Sequence, residues 1–404
     1  MKRIVVLIDG TWEQEGVGKN TNVGLLDADF KIDGFSLIKS CDKNGVRQVV
    51  EYHKGVGAAT NPVQHYLGGL IGEGLRNLVL DAYSSLAKLY EPEDEIYVVG
   101  FSRGAYAARA LVGMIGASGI VRSPDNAEIA WAYYRVSPAA RSKWEQPSQT
   151  DAKAIRELDE LRNQGKIHAD NRVKCVGVWE TVGSYGVPAG FHLGFIARFI
   201  AMERLGFHDT SFGNHVDVGL HAVGIDEHRR PFVPTFWTIA KGQQPAGIVE
   251  QTWFAGEHGN VGGGEANTGL STQALVWMIA RIHALTSLEF DLNAVTAIAK
   301  QVDVDGEVYD STVGWPLDHL WPHFRRVLSP DAIEHGALMS TIDTSMEHIN
   351  EKVHWSVLRK RGRPCIIYGK PNAPYAPPNL PPDIPVDKIA ELTTEEKAIL
   401  SIPS

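Results

Sequence analysis

The chain has 404 residues, of which 44% are hydrophobic and 9% aromatic, enough to bury a sizeable core in one large α/β domain or in two domains. Its formal net charge of -9 argues against non-specific binding to nucleic acid, which needs a basic surface. The three cysteines, Cys41, Cys175 and Cys365, form no C-x-x-C pair, so neither a disulfide framework nor a thiolate zinc site is predicted.

The first apolar segment, Ile4–Ile8, is too short for the core of a signal peptide, and no small-residue cleavage site follows it. No run of about 18 uncharged apolar residues occurs, so no membrane span is predicted. We expect a cytoplasmic protein in a reducing compartment, with export by a route that needs no signal peptide as the alternative.

Ile4–Ile8 is predicted to be a strand buried on both faces of a parallel sheet. Asp9, Gly10 and Thr11 follow it at the carboxyl edge of that sheet, where ligands bind. Asp9 is interpreted either as an active-site residue or as a turn residue that bonds its own backbone. The backbone N–H groups of Gly10 and Thr11 are predicted oxyanion donors.

Two further segments precede the central motif. Glu15–Thr21 has glycines and Lys19 but lacks the first glycine and the Ser or Thr of a phosphate-binding loop, so we predict a loop without nucleotide binding. Gln48–Tyr52 is predicted to be the second strand, and Leu75–Tyr90 a helix that ends before a proline.

The central motif lies in Glu95–Ile115, where an apolar strand meets G-x-S-x-G at residues 100–104 and a helical pattern follows. Glycines on either side of Ser102 remove Cβ atoms that would clash at a sharp strand-to-helix turn. Ser102 is therefore the predicted nucleophile, at a helix N-terminus that favours negative charge, and the N–H of Arg103 is a predicted oxyanion donor. The alternative is a glycine-rich turn in which Ser102 only caps the helix.

Residues 123–171 are charged and helical in pattern, which predicts an inserted cap or a surface helical pair. Val173–Val178 is predicted to be the next strand, and Glu180 follows its carboxyl end. This position, after the serine in chain order, suits the acid of a Ser–acid–His triad. The alternative for Glu180 is a solvated residue that caps a turn.

A second predicted insertion, 189–215, contains Phe191–Leu205, whose apolar spacing fits either a core helix or a lid over an apolar substrate. The His215–His228 region holds several potential metal ligands but no H-E-x-x-H motif, so a metal site there is a non-specific alternative. Asp226, in the same region, is the second candidate for the triad acid.

Ile248–Phe254 is predicted to be a strand, and His258 lies in the glycine-rich loop behind it. His258 completes the order Ser, acid, His and is the predicted base, although an isolated histidine is more often structural. A helix is predicted over Thr272–Leu285. Seven prolines in Pro371–Pro385 predict an extended surface tail over 371–404, which leaves 1–370 as a single domain.

Several short motifs follow one another in an order that covers nearly the whole chain, which makes them more specific together than G-x-S-x-G alone. They are IDGTW (8–12), NTNV (20–23), GVG (55–57), GFSRGAYAAR (100–109), GVWETVGSYGVP (177–188), HAVGIDEHRRPFVP (221–234), WFAGEHGNVGGG (253–264), VYDSTVGW (308–315), VHWSV (353–357) and PPNLP (377–381).

With these motifs the chain resembles the uncharacterised α/β-hydrolase domains that also form the catalytic part of bacterial type VI lipase effectors of the Tle1-like class. The resemblance implies an α/β-hydrolase-like core, a mostly parallel sheet flanked by helices with helical cap insertions. It also implies Ser102 as nucleophile, Glu180 as acid and His258 as base. The family usually has Asp in place of Glu180, which keeps Asp226 as an alternative acid. Phospholipase activity belongs to the effector branch, which usually carries extra membrane-associating segments; no separate region of that kind is visible.

We therefore predict a serine hydrolase that cleaves a carboxylic ester, from a small molecule to a lipid or phospholipid, through an acyl-enzyme, with no cofactor and no metal. One alternative is a hydrolase-like module that binds a partner without catalysis. Another is a metal-assisted hydrolase that uses His215–His228. The sequence specifies neither the acyl-chain length nor the oligomeric state.

Overall fold

The structure is a computed structural model that describes residues 1–10, 20–55, 70–168, 170–182, 212–329 and 345–402. Thr11, the loop over 15–19 and the apolar segment Phe191–Leu205 lie outside the described residues, as does most of the predicted insertion 189–215. Among the described helices, none has the length and hydrophobicity needed to cross a membrane.

The strands, in chain order, are β1 (Arg3–Ile8), β2 (Gln48–His53), β3 (Glu95–Phe101), β4 (Ile120–Val121), β5 (Ile167–His168), β6 (Val173–Trp179), β7 (Val216–Gly224), β8 (Thr238–Ala240), β9 (Ile248–Phe254), β10 (Met346–His348), β11 (Glu351–His354), β12 (Pro364–Ile367), β13 (Lys370–Pro374) and β14 (Ile389–Ala390). The described helices are α1 (Asn22–Leu26), α2 (Leu70–Leu89), α3 (Arg103–Ser118), α4 (Ala127–Tyr134), α5 (Pro138–Arg141), α6 (Gln149–Asn163), α7 (His258–Gly262), α8 (Gly269–Leu285), α9 (Leu292–Ala299), α10 (Pro316–Leu320), α11 (Trp355–Lys360) and α12 (Thr394–Ile399).

Eight strands form one sheet in the order β14-β11-β9-β7-β6-β3-β1-β2, and every neighbouring pair is parallel. The chain leaves β1 first for β2 on one side and then for β3 on the other, which makes the gap between β1 and β3 the point where strand order reverses. Ligands of open parallel sheets bind at such a point, beyond the carboxyl ends of the strands. The predicted α/β-hydrolase-like class is confirmed.

Helices cover both faces of the sheet, and the alternation of side chains along β1 shows how the core divides. Ile4, Val6 and Ile8 pack in the cluster that contains α2 and α3, while Val5 and Leu7 pack in the cluster that contains α8 and α9. All five side chains are fully buried. A continuous apolar run is what a strand with two buried faces requires, as the sequence predicted.

One central strand and the C-terminal region differ from the prediction. The sequence predicts no strand over 216–224 and gives His215–His228 only as potential metal ligands, whereas β7 is a central strand between β6 and β9. The predicted surface tail over 371–404 is wrong at its end, since β14 pairs with β11 as the last strand of the sheet. α12 follows, and the buried carboxylate of Glu396 accepts a hydrogen bond from His354 Nε2 over 3.1 Å.

The predicted helical segment over 123–171 contains α4, α5 and α6, and the two-residue strands β4 and β5 pair across its base. A capping box starts α6: the Ser148 side chain bonds the Asp151 N–H, and the Asp151 side chain bonds the Ser148 N–H. Within this segment α4 packs on α2, α3 and α6.

Candidate active site

Ser102 occupies the sharp turn between β3 and α3. Its backbone has φ 58° and ψ -121°, a combination that non-glycine residues rarely adopt and that costs about 1–3 kcal/mol. A Cβ atom at Gly104 would lie 2.1 Å from the Ile8 carbonyl oxygen, and one at Gly100 would lie 2.5 Å from the Gly104 carbonyl oxygen. The two glycines of G-x-S-x-G therefore let β1, β3 and α3 meet closely enough to hold this turn.

The Ser102 hydroxyl does not cap α3, since its side chain bonds no N–H of the helix. It lies instead 2.8 Å from His258 Nε2. The other ring nitrogen, His258 Nδ1, lies 3.0 Å from Glu180 Oε2. All three residues are buried, with exposed fractions of 3%, 3% and 0%. A hydroxyl, an imidazole and a carboxylate in this sequence of contacts form the arrangement that activates a serine nucleophile.

His258 is the first residue of α7, directly behind β9. Its ring packs between Phe101 and Phe232, with centroid distances of 4.7 Å and 4.9 Å. Burial lowers the pKa of His258, although the hydrogen bond and charge of Glu180 oppose that shift. The neutral imidazole, which can accept a proton, is therefore favoured.

The ion pair between Glu227 and Arg229 supports the backbone of His258. Its N–H donates to Glu227 Oε2 over 3.3 Å, and Glu227 forms a two-point ion pair with Arg229 through contacts of 2.8 Å and 2.6 Å. Glu257 lies on the other side of Arg229, at 3.6 Å, and caps α7. Burial and the charge of Glu227 raise the pKa of Glu257 to about 8. These buried groups fix the start of α7 and with it the imidazole.

Glu180 lies one residue beyond β6 with φ 49° and has no exposed surface. The Gly224 N–H donates to its Oε1 over 2.6 Å, and Arg325 donates to both carboxylate oxygens over 2.7 Å and 2.9 Å. Burial alone would raise the pKa of Glu180, but the charge of Arg325 and the hydrogen bonds from His258 and Arg325 outweigh it and hold this pKa well below its usual range. The carboxylate is therefore ionised throughout the physiological pH range.

Arg325 is the site residue that sequence reasoning missed. It lies in an irregular segment after α10, is 2% exposed, and also donates to the carbonyl oxygens of Gly224 and Phe232 over 2.6 Å and 2.5 Å. No spacing rule connects an arginine in an irregular segment to a strand end 145 residues earlier. The one available signal is chemical: a buried carboxylate at the end of β6 needs a cation.

Asp226, the rival candidate for the acid, follows β7 by two residues. Its Oδ2 accepts hydrogen bonds from the Gly256 N–H over 2.7 Å and from the Tyr375 hydroxyl over 2.8 Å. Burial raises the pKa of Asp226. The structure thus brings Glu180 to His258 and brings Asp226 to the C-terminal segment.

Asp9 and Gly10 lie beside the Ser102 turn at the end of β1. The Asp9 carboxylate is buried and accepts from the Gly10 N–H, the Thr21 hydroxyl and the Tyr52 hydroxyl over 2.6 Å, 2.6 Å and 2.7 Å. Asp9 therefore bonds its own turn, as one interpretation predicted. The Gly10 N–H, predicted as an oxyanion donor, donates to Asp9 Oδ1 instead, which corrects that prediction.

Of the other predicted donors, Arg103 is the first residue of α3, directly after Ser102, in the turn whose N–H groups have no intrahelical acceptor. The histidines of the predicted metal region lie apart: His215 contacts the Val112 carbonyl oxygen, His221 contacts Gln251, and His228 contacts Tyr368. Within the ranges that the structure describes, no three His, Cys, Asp or Glu side chains are grouped as metal ligands.

Comparisons with known proteins identify a family and one curated relative. A family model described as T6SS, phospholipase effector Tle1-like, catalytic domain matches residues 2–281. The uncharacterized protein YEL023C of Saccharomyces cerevisiae is 27% identical over 248 residues, which are 57% of this chain and 32% of that protein.

Two solved structures align more weakly. An uncharacterized protein from Pseudomonas aeruginosa aligns with a TM-score of 0.38 and 16% identity, over 74% of this chain and 50% of the other. The Tle1 effector bound to the VgrG spike of the type 6 secretion system aligns with a TM-score of 0.35 and 17% identity, over 66% and 51%. The chain therefore spans about a third of the curated relative and about half of each of these structures.

Proposed function

Because the chain belongs to the family of Tle1-like catalytic domains of type VI secretion phospholipase effectors, we propose that it hydrolyses lipid esters through a triad of Ser102, His258 and Glu180. The observation that carries this proposal is the buried sequence of contacts from the Ser102 hydroxyl through the His258 ring to Glu180, at 2.8 Å and 3.0 Å. Family membership supports the substrate class, and these contacts support the mechanism.

In the first step, Ser102 Oγ attacks the ester carbonyl carbon while His258 Nε2 takes the hydroxyl proton. The contact between Nδ1 and Glu180 keeps the Nδ1–H tautomer, so that Nε2 is the accepting nitrogen. Glu180 then stabilises the imidazolium. This proton passes from Nε2 to the leaving alcohol, which yields an acyl-enzyme on Ser102.

In the second step, a water molecule gives a proton to His258 and attacks the acyl carbonyl, which releases the carboxylic acid and restores Ser102. The developing oxyanion needs donors at the same place in both steps, and we assign one to the Arg103 N–H at the start of α3. The sequence predicts the second at Thr11, which lies outside the described residues. Loss of one such donor typically costs about 100- to 1000-fold in rate.

We assign Arg325 the role of a positioning residue that acts through Glu180. The Arg325 guanidinium donates to both carboxylate oxygens of Glu180 and so fixes the plane of the carboxylate. The direction from which Glu180 accepts the Nδ1–H of His258 is thereby fixed as well. The same positive charge offsets part of the carboxylate's attraction for the imidazolium. Arg325 therefore keeps Glu180 ionised and limits how far Glu180 can raise the pKa of His258.

Substitution Ser102→Ala tests the nucleophile. We expect ester hydrolysis to fall by roughly a million-fold and labelling by a fluorescent fluorophosphonate to vanish, because no other group can form the acyl-enzyme. Labelling intensity, turnover of a short-chain ester and thermal unfolding of both proteins provide the measurement. A folded wild type that neither labels nor hydrolyses any ester would favour the binding module, and chelator-sensitive activity that survives Ser102→Ala would favour a metal mechanism.

A pair of isosteric substitutions distinguishes the two candidate acids. Glu180→Gln should lower kcat on the order of ten-thousand-fold, because the amide cannot hold His258 in the Nδ1–H tautomer or stabilise its charged form. Asp226→Asn is the matched control and should keep fluorophosphonate labelling near the wild-type rate. Faster labelling of Glu180→Gln than of Asp226→Asn would identify Asp226 as the acid.

The pH dependence of kcat/KM follows from His258. A general base works in its neutral form, and burial lowers the pKa of His258, so the acid limb should lie below the ordinary histidine value of about 6.5. Glu180 adds no limb in this range, since its pKa is held well below its usual value. The rate of hydrolysis of a soluble short-chain ester, measured between mildly acidic and neutral pH, gives the midpoint of this acid limb. A midpoint above about 6.5 would contradict the assignment of His258 as the base.

Arg325→Met should lower kcat by about 10- to 100-fold, the cost of a misplaced catalytic group, and should move the acid limb to higher pH. The shift follows because Glu180, still bonded by His258 and the Gly224 N–H, no longer has its charge offset by Arg325 and so raises the pKa of His258. Arg325→Lys keeps the charge without the two-point contact, so it should restore the limb but only part of the rate. Arg326→Met, one residue away and exposed, is the control; equal acid limbs in wild type and Arg325→Met would contradict the role.

A further inference from the structure

Six large hydrophobic side chains are exposed together beyond the carboxyl edge of the sheet. They are half of the twelve such residues in the described part of the chain, with exposed fractions from 37% to 75%. We call them the rim patch: Val313, Leu320, Trp321, Phe324, Ile366 and Tyr368. Single exposed apolar residues are ordinary, whereas a group of them in one region indicates a binding surface.

The rim patch is held together around His228, which follows β7. The His228 ring packs against Phe324 with a centroid distance of 4.8 Å, and its Nε2 lies 2.8 Å from the Tyr368 hydroxyl. Its N–H donates to the Ser311 hydroxyl over 2.9 Å, which fixes the turn that carries Val313. Two distant stretches of sequence thus present their apolar side chains on one surface.

This surface adjoins the catalytic residues. Phe232 packs on His258 at 4.9 Å and on Trp315 at 6.1 Å, and Trp315 lies between Val313 and α10 in the chain. Arg325, which grips Glu180, directly follows Phe324. The rim patch is therefore adjacent in the chain to two residues that support His258 and Glu180, namely Trp315, which acts through Phe232, and Arg325.

Exposed cations lie beside the rim patch although the whole chain carries -9. Over 311–328 the one acidic residue is Asp318, which is 4% exposed and pairs with Arg230 at 3.8 Å. The Arg230 side chain is 53% exposed, and Arg326 and Lys370 are exposed as well, while His319 lies 3.8 Å from Asp310. Aromatic residues flanked by cations are the composition that suits the interface of an anionic bilayer.

From these observations, and resting on the proposed function, we infer that the rim patch docks on the surface of an anionic phospholipid bilayer, with Trp321 and Phe324 inserted at the headgroup level. Docking there holds the segment that carries Arg325 against the membrane. The cations attract the headgroups, and the apolar side chains supply the salt-resistant part of the affinity.

The test uses the 404-residue Ser102→Ala chain, which binds without consuming lipid, and vesicles of phosphatidylcholine alone or mixed with phosphatidylglycerol. We expect co-sedimentation with the mixed vesicles. The double substitution Trp321→Ser with Phe324→Ser should reduce partitioning at least about tenfold, since removing a large side chain from an apolar environment typically costs that much or more. Trp144→Ser is the matched control, because Trp144 is 90% exposed on the helical segment over 123–171.

Two further measurements separate the outcomes. With Ser102 intact, the double variant should hydrolyse a soluble short-chain ester at the wild-type rate and lose activity only on vesicle-borne ester. Val313→Ser with Leu320→Ser provides a second variant should the first not fold. Absence of vesicle binding, equal binding by the rim and control variants, or self-association that the rim variants abolish would overturn the inference. Loss of all ester hydrolysis by wild type, with vesicle binding intact, would instead refute the proposed function.

Discussion

The negative charge of Glu180, which has no exposed surface, determines which distant parts of the chain must meet. A charge removed from water is tolerated only where opposite charge and hydrogen-bond donors surround it. Here the donors come from the end of β7, from the start of α7 and from the segment that follows α10, through Gly224, His258 and Arg325. Loss of any of them leaves a buried carboxylate partly unsatisfied, so stability and site geometry depend on the same contacts.

A second constraint operates on the other side of the nucleophile. The Ser102 turn is strained, and the closely packed end of β1 supports it. A Cβ atom at Gly55 would lie 2.2 Å from the Gly10 carbonyl oxygen, and one at Gly104 would lie 2.1 Å from that of Ile8. Asp9 secures this end of β1 through bonds to Thr21 and Tyr52. Asp9 is thus a structural residue of the site, and its place at the carboxyl edge explains why position alone left its role open.

Sequence reasoning located what depends on local pattern. The apolar runs of β1, β3, β6 and β9 identify buried strands, and a polar residue behind such a run lies at the carboxyl edge. Ser102, Glu180 and His258, which meet in the structure, each follow such a run. It could not locate what depends on pairing between distant segments. β14 has two residues and becomes a strand only because β11 offers a free edge, and β7 carries polar residues whose partners lie on other strands. Arg325 could not be located for the same reason, because its partner Glu180 lies in a distant segment.

The choice between Glu and Asp at position 180 also acquires a physical reason. A glutamate has one more rotatable bond than an aspartate and would hold an imidazole less firmly if its carboxylate were free to turn. The two-point contact with Arg325 removes that freedom, since both oxygens are engaged in a fixed plane. The arginine that the site requires thus compensates for the longer acid.

The segment over 311–328 combines two roles that are usually separate. Its inner side supplies Arg325 to the triad acid, while its outer side carries Val313, Leu320, Trp321 and Phe324 of the rim patch. It lies beyond residue 281, where the family match ends, so part of the site's support comes from outside the matched region.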